Sequence, residues 1–325
     1  MKLFFAATVV VLAAACSGPA PLGPNDGGVV YVEAGIVDTG NVTDTGNVTD
    51  TGNVTDTGGT EDVGNTGPMP IDPNVAVPAF DAATVARVRE LRALGASRGM
   101  RAEVFAKIGD SITESGSFLS DIGHGWYDLG GYRALEPTVA YFRQTTFADG
   151  SNSFTRASTC AMGGWVASYA FSGDPTSALR REMDYTRPAW AIVMYGTNDL
   201  DHVTPMEFSG TMTRILDIIE SYGSVPVLST IPDRLDRPEA GARVASFNDA
   251  IRALASSRHS PLMEYWRALQ PLPDHGVDRD GIHPSAYAPN GNVSCGVLTA
   301  AGLQYGYNVR NLVALLALDR LRATR

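Results

Sequence analysis

Two kinds of apolar pattern alternate along the chain from about residue 78 onwards. Short apolar runs of the length typical of buried strands occur at residues 104–108, 189–195, 225–231 and 262–266, and residues 153–158 are a further candidate strand. Apolar residues spaced three or four apart predict helices at residues 81–94, 135–142, 204–222, 239–256 and 309–323. Asp81 and Thr204, the latter followed by Pro205, are suited to cap two of these helices.

This alternation predicts an α/β fold with a mainly parallel sheet and helices on both of its faces. Because crossovers between parallel strands are right-handed, the carboxyl ends of the strands come together along one edge of the sheet. Ligand sites of such folds gather at that edge, so we look for chemistry where each predicted strand ends.

Composition narrows the class of protein. Of the 325 residues, 44% are hydrophobic and 18% are charged, which argues against a disordered chain, a coiled coil and a multipass membrane protein. The net charge of −10 disfavours nucleic acid as a partner, since phosphate binding needs clustered Lys and Arg. Residues 17–76 carry acidic side chains without Lys or Arg, so the acidity belongs mainly to this segment.

The first residues have the pattern of an export signal. Lys2 precedes a stretch, residues 3–15, that is apolar apart from Thr8 and too short to span a bilayer. Small residues then lead into Cys16, which resembles the cleavage box of bacterial lipoproteins. We therefore expect a signal peptide at 1–15 and an acylated Cys16 that attaches the exported chain to the lipid bilayer of the cell envelope, with outer membrane or cell surface favoured. Ordinary cleavage near Ala15 is the alternative.

Residues 16–76 form the second predicted region. The hexapeptide Asp-Thr-Gly-Asn-Val-Thr starts at Asp38, Asp44 and Asp50, and a further Asp-Thr-Gly starts at Asp56. One Val per repeat leaves little to bury, which predicts a solvated linker; a calcium-binding repeat is the less favoured interpretation. Residues 77–325 are then the predicted globular domain.

Two glycine-containing segments follow predicted strands. Gly109-Asp110-Ser111 comes directly after the strand at 104–108, so the Ser111 hydroxyl can face a cleft at a strand-to-helix turn. Gly163-Gly164 follows the candidate strand at 153–158, and a glycine there lets a backbone N–H approach a ligand closely. Each also has an ordinary structural explanation: Ser111 to Glu114 has the pattern of a capping box, and the two glycines suit any tight turn.

Polar residues follow the later strands too. The Asn198 amide, after the strand at 189–195, can donate to an oxyanion or can form an Asx turn. Asp280 and His283 are three residues apart, so the carboxylate can orient the imidazole to accept the Ser111 proton. A metal site is the rival hypothesis, built on these residues: His275, Asp278, Asp280 and His283.

The order of these segments resembles the SGNH/GDSL hydrolase family over about residues 104–325. The resemblance implies a flavodoxin-like, three-layer α/β/α fold and ester hydrolysis without a cofactor or metal. It implies that Ser111 is the nucleophile, His283 the base and Asp280 the residue that orients it. The implied oxyanion hole consists of the Ser111 N–H, the Asn198 amide and the N–H of Gly164, with Gly163 as the alternative.

The expected function is that of a tethered serine esterase acting on a small-molecule or glycan ester, such as acetylated polysaccharide. A surface glycan-binding module that has lost the chemistry is the alternative. Segments 115–155 and 286–298 are longer than the family resemblance explains, and Trp126, Tyr127 and Trp165 are either cleft walls or core aromatics.

The cysteines lead to one further prediction. If Cys16 is acylated, an even pair remains in an exported chain. The oxyanion segment and the His283 loop must approach one another if the triad forms, so we predict a disulfide between Cys160 and Cys295. Two separate buried thiols are the alternative.

Overall fold

A parallel sheet forms the centre of the structure, a computed structural model that describes residues 71–324. Its strands are β1 (Arg101–Gly109), β2 (Pro188–Met194), β3 (Val225–Ser229) and β4 (Leu262–Met263), in the spatial order β1-β2-β3-β4. On the other side of β1, Ala161 forms a single parallel bridge to Gly109. The segment at Ala161 therefore takes the outer place beside the first strand, as the second strand does in flavodoxin-like sheets.

Helices cover both faces of the sheet, which gives the expected three-layer α/β/α fold. In chain order they are α1 (Pro73–Ala76), α2 (Ala82–Ser97), α3 (Ser111–Glu114), α4 (Ser120–His124), α5 (Glu136–Arg143), α6 (Ala178–Thr186), α7 (Pro205–Ser221), α8 (Pro238–Arg258), α9 (Tyr265–Leu269) and α10 (Gly306–Ala323). Helices α5 and α10 pack together, and α7 packs against α6 and α8. The predicted caps form: Asp81 accepts from the Thr84 N–H, and Thr204 makes a capping box with Glu207.

Two predicted strands differ from the structure. Residues 153–158 form no strand, because the Asn152 side chain accepts from the N–H groups of Phe154 and Thr155 and folds the backbone into a turn. The predicted strand at 262–266 stops at Met263, and α9 begins two residues later. The first difference comes from local hydrogen bonds of a short polar side chain, which an apolar pattern does not show. After Met263, the Glu264 N–H donates to the Ala76 carbonyl instead of to a neighbouring strand.

The folded part of the chain also begins earlier than residue 77. Ile71 is buried, and its backbone N–H and carbonyl both bond to the Tyr132 hydroxyl. Asp72 caps α1, whose residue Ala76 is buried as well. This short apolar segment, which precedes the predicted domain start at residue 77, therefore packs onto the domain. The signal peptide, Cys16 and the repeats lie outside the described residues.

Within residues 71–324, no helix is both long enough and apolar enough to cross a membrane.

The predicted disulfide is wrong. Cys160 and Cys295 are both free and buried. The Cys160 sulfur lies 3.9 Å from the Tyr195 hydroxyl beside β2, whereas the Cys295 carbonyl accepts from Asn311 on α10. Each thiol is packed into a different part of the core, and burial raises the pKa of Cys160 to about 12 and that of Cys295 to about 11.

Candidate active site

Ser111 stands at the carboxyl end of β1, as the first residue of α3. Asp110 caps this short helix by accepting from the Ile112 N–H at 3.0 Å. Gly109 is required before it, because a Cβ there would collide with the Thr113 hydroxyl and the Met194 carbonyl. The turn is therefore tight, and it leaves the Ser111 side chain only half-buried.

A continuous chain of hydrogen bonds joins Ser111 to His283 and Asp280. The Ser111 Oγ lies 2.9 Å from His283 Nε2, and His283 Nδ1 lies 2.6 Å from Asp280 Oδ2. The carboxylate accepts the Nδ1 proton, which leaves Nε2 free to accept the proton of the Ser111 hydroxyl. The structure thus brings together three residues that are up to 172 positions apart.

The loop of Asp280 and His283 is shaped by its own backbone. Asp280 Oδ1 accepts from the N–H groups of Ile282 and His283, both at 2.9 Å. Gly281 adopts a φ of +73°, and a Cβ there would collide with the backbone of Asp236. Burial acts to raise the pKa of Asp280, but the Ile282 and His283 hydrogen bonds outweigh it and the pKa is lowered. Asp280 is therefore held as the carboxylate that orients the imidazole.

The predicted oxyanion donors lie around a turn at Gly163-Gly164. Among the described residues, neither the Ser111 N–H nor the Gly164 N–H has an acceptor, so both are available to a ligand. The Asn198 amide donates to the Trp165 carbonyl at 2.9 Å and keeps a second hydrogen for another acceptor. The Gly163 N–H is instead bonded to Glu114 Oε2 at 2.6 Å. Availability therefore favours Gly164 over Gly163.

The predicted aromatic residues separate into two groups. Trp165 directly follows Gly164, is half-buried and packs edge-to-face on the exposed Tyr169, with ring centres 6.1 Å apart. Trp126 instead stacks on His124, and the Tyr127 hydroxyl donates to Glu136. Only Trp165 is thus tied to the segment that carries the donors.

The rival metal cluster does not form. His275 pairs with Asp233 at 2.6 Å, and Asp278 is occupied by the neighbouring Arg279 N–H. In the described part of the chain, no group of three or more His, Cys, Asp or Glu side chains is arranged to hold a metal ion.

Three supporting residues were missed by the sequence analysis. Asp199 accepts from the N–H groups of Ala167 and Gly196, and burial raises its pKa to about 6. The buried Arg310, on α10, donates to the Ile112 carbonyl and the Thr113 hydroxyl. The sequence signal that could have identified Arg310 is an Arg among the apolar residues of α10.

Asp110, directly before Ser111, is the third of these residues. Burial raises its pKa to about 7, against the opposing charge of Arg310, and its Oδ2 has no hydrogen-bond partner among the described residues. Arg310 stacks over the Phe118 ring with its guanidinium carbon 3.7 Å from the ring centre. The nucleophile turn therefore rests on a buried carboxyl group and on a buried guanidinium that donates to the turn's backbone.

The chain was compared with known proteins. The model of the GDSL-like lipase/acylhydrolase family matches residues 108–288, and no curated protein matches significantly. A GDSL-like lipase from Bacteroides thetaiotaomicron has a similar structure, with a TM-score of 0.40 and 14% identity over 71% of this chain and 98% of that one. An acetylxylan esterase from Geobacillus stearothermophilus gives a TM-score of 0.43 and 14% identity, covering 67% of this chain and 95% of that one. A lipase/acylhydrolase from Enterococcus faecalis gives 0.40 and 19%, with the same coverage.

The matched region is more than half of the chain, and it contains the end of β1 with Ser111, the Gly163-Gly164 turn, Asn198 and the Asp280–His283 loop. The family resemblance drawn from the sequence is confirmed by this match. The chain belongs to the GDSL-like lipase/acylhydrolase family and is a carboxylic ester hydrolase.

Proposed function

We propose that the protein is a secreted, membrane-tethered serine esterase that works through an acyl-enzyme. The observation that carries this proposal is the hydrogen-bond chain from Ser111 through His283 to Asp280. A nucleophile, a base and an orienting carboxylate within hydrogen-bond reach of one another are the arrangement that acyl transfer needs.

In the proposed reaction, Ser111 Oγ forms a bond to the ester carbonyl carbon while its proton passes to His283 Nε2. The negative charge on the carbonyl oxygen is met by the N–H groups of Ser111 and Gly164 and by the Asn198 amide. Each such donor lowers the barrier by about 3 kcal/mol. The intermediate then expels the alcohol, which takes the proton from His283, and a water deprotonated by the same imidazole releases the acid.

We propose an acetylated polysaccharide or envelope glycan as the substrate. The side chains of His283 and Asp280 are 38% and 50% exposed, so the site lies at the surface, where an acyl group projecting from a polymer can reach it. Next to the donors, Trp165 and the 51% exposed Tyr169 offer aromatic surface against which a sugar ring can pack.

The proposed tether depends on Cys16, which follows the apolar stretch at residues 3–15. Acylation there would hold the exported enzyme at the cell envelope, outer membrane or surface, close to its polymer. Expression of the Cys16→Ser variant tests this proposal. It should move the protein from the membrane fraction to the soluble fraction and abolish incorporation of labelled palmitate, whereas unchanged membrane recovery would contradict lipid anchoring.

Turnover of p-nitrophenyl acetate tests the catalytic proposal. The Ser111→Ala variant should lose turnover and labelling by a fluorophosphonate, while the matched variant Ser246→Ala, on the exposed side of α8, keeps both. A folded wild-type protein without turnover on acetyl esters or acetylated sugars would favour the glycan-binding module instead.

A further inference from the structure

Glu114 makes a contact that neither the sequence motifs nor the triad explain. It ends α3, three residues after Ser111, and is exposed to solvent. Residues three apart lie on the same side of a helix, so its carboxylate projects near the nucleophile. Its Oε2 accepts from the N–H of Gly163 at 2.6 Å, across 49 positions of the chain.

This contact lies at the turn that carries the donors. The Gly163 backbone is close to the nucleophile: a Cβ on it would stand 3.8 Å from the Ser111 Cβ and 3.3 Å from Glu114 Oε2. The bond to Glu114 engages the N–H of Gly163 and leaves the N–H of the next residue, Gly164, without an acceptor in the described chain.

Three other contacts hold the same turn. The Met162 N–H donates to the Gly109 carbonyl at 3.3 Å, the Trp165 N–H donates to the Met162 carbonyl at 3.3 Å, and the Asn198 amide donates to the Trp165 carbonyl. These fix the turn before and after the two glycines. Glu114 is the contact that acts between them, at the peptide adjoining the free donor.

We propose that Glu114 is a positioning residue for the esterase reaction, holding the Gly163-Gly164 turn against α3 so that the Gly164 N–H faces the reacting carbonyl. The inference rests on the proposed function. The carboxylate cannot stabilise an oxyanion itself, since it only accepts hydrogen bonds when ionised, so it acts through the backbone that it holds.

The experiment compares Glu114→Ala and Glu114→Gln with a control, Glu239→Ala, which removes an exposed carboxylate from the first turn of α8. A displaced donor should lower kcat of Glu114→Ala on p-nitrophenyl acetate by about 10- to 100-fold. KM should change by less than about twofold, because the donor acts mainly on the transition state. Glu114→Gln should stay within about threefold of the wild type, since its amide oxygen can accept the same bond.

Two further measurements make the test independent of a general loss of structure or of activity. The Tm of Glu114→Ala should stay within about 2 °C of the wild type, as for other surface substitutions. Hydrogen exchange should show faster exchange of the Gly163 amide in Glu114→Ala and near-wild-type exchange in Glu114→Gln.

Wild-type kcat in Glu114→Ala would overturn the inference, and so would an equal loss in Glu114→Gln or a gain in both variants, which would mean that the charge opposes the oxyanion. These outcomes differ from failure of the proposed function, in which the wild type itself shows no turnover and no Ser111 labelling.

Discussion

The two halves of the candidate active site are held in opposite ways. The nucleophile turn is held by buried side chains. Asp110 and Arg310 are buried, and Arg310 on α10 donates hydrogen bonds to this turn. The Asp280–His283 loop is half-exposed; hydrogen bonds within the loop shape it, and the Gly281 carbonyl ties it to the backbone N–H groups of Leu235 and Asp236. Changes in the loop should therefore affect chemistry without stability, and changes beneath the nucleophile should affect stability first.

The largest expected effect is that of His283→Ala. Removal of the base should lower kcat by about 10⁵-fold, which is about 7 kcal/mol of barrier. The free energy of unfolding should change by less than about 0.5 kcal/mol, because the side chain is substantially exposed and fills no core space. Esterase assays and urea unfolding measure the two quantities. The control His275→Ala should keep kcat, since His275 pairs with Asp233 outside the triad.

Arg310→Met tests the other half. It should lower the free energy of unfolding by about 3 kcal/mol or more, because it leaves the buried Ile112 carbonyl and the Thr113 hydroxyl without their donor. The control Arg320→Met, on the same helix with an exposed bond to Asn74, should cost less than about 1 kcal/mol. Equal losses in the two variants would show that Arg310 does not anchor the nucleophile turn.

Stability should also depend on pH through the buried half. The pKa of Asp110 is raised by burial to about 7, so the folded state holds this proton more tightly than the unfolded state does. Stability should therefore fall as the pH rises from about 4 to 7, with a smaller share from Asp199 up to about pH 6. In urea unfolding at a series of pH values, the stability of the Asp110→Asn variant should depend less on pH than that of the wild type. An unchanged pH dependence would show that another group causes it.

Above neutral pH, the stability should change with pH in the opposite direction. Lys107, buried beneath the same turn, has its pKa lowered to about 7 by burial and by the nearby Arg310 charge. The unfolded chain then binds the extra proton, so stability should rise between about pH 7 and 9, below the range in which the buried thiols of Cys160 and Cys295 act in the opposite direction. In the Lys107→Met variant this rise in stability should disappear. If the variant shows the same rise as the wild type, a group other than Lys107 causes it.

The smallest expected effect concerns the cysteines. A Cys160–Cys295 bridge would have tied the two halves together, but both thiols are free. Thiol titration of the denatured, unreduced protein should therefore find both of them, and reducing agents should leave the Tm unchanged. A disulfide-linked pair of peptides containing Cys160 and Cys295 would contradict the prediction that both thiols are free.

The sequence predicted what depends on local pattern. Apolar periodicity located the strands that end shortly before Ser111 and Asn198, and the spacing of Asp280 and His283 predicted their pairing. Contacts between distant polar groups were not predictable in this way. Nothing in the periodicity of α10 says that Arg310 reaches the Thr113 hydroxyl, or that Glu114 binds a backbone N–H 49 positions away.

The disulfide was predicted wrongly for a related reason. Proximity of two loops at one edge of a sheet does not fix the direction of their side chains. The Cys160 thiol lies beside the Tyr195 hydroxyl and the Cys295 thiol beside the Ser117 side chain, a difference that a one-dimensional argument cannot show.

The position of Arg310 also has a consequence for how the enzyme matures. The motif residues are all synthesised by residue 283, but the side chain that secures the nucleophile turn arrives with the last helix. A nascent or prematurely terminated chain that ends before α10 carries the complete set of reactive groups without the anchor beneath them. We therefore expect the nucleophile turn to become fully ordered only after α10 has packed against it.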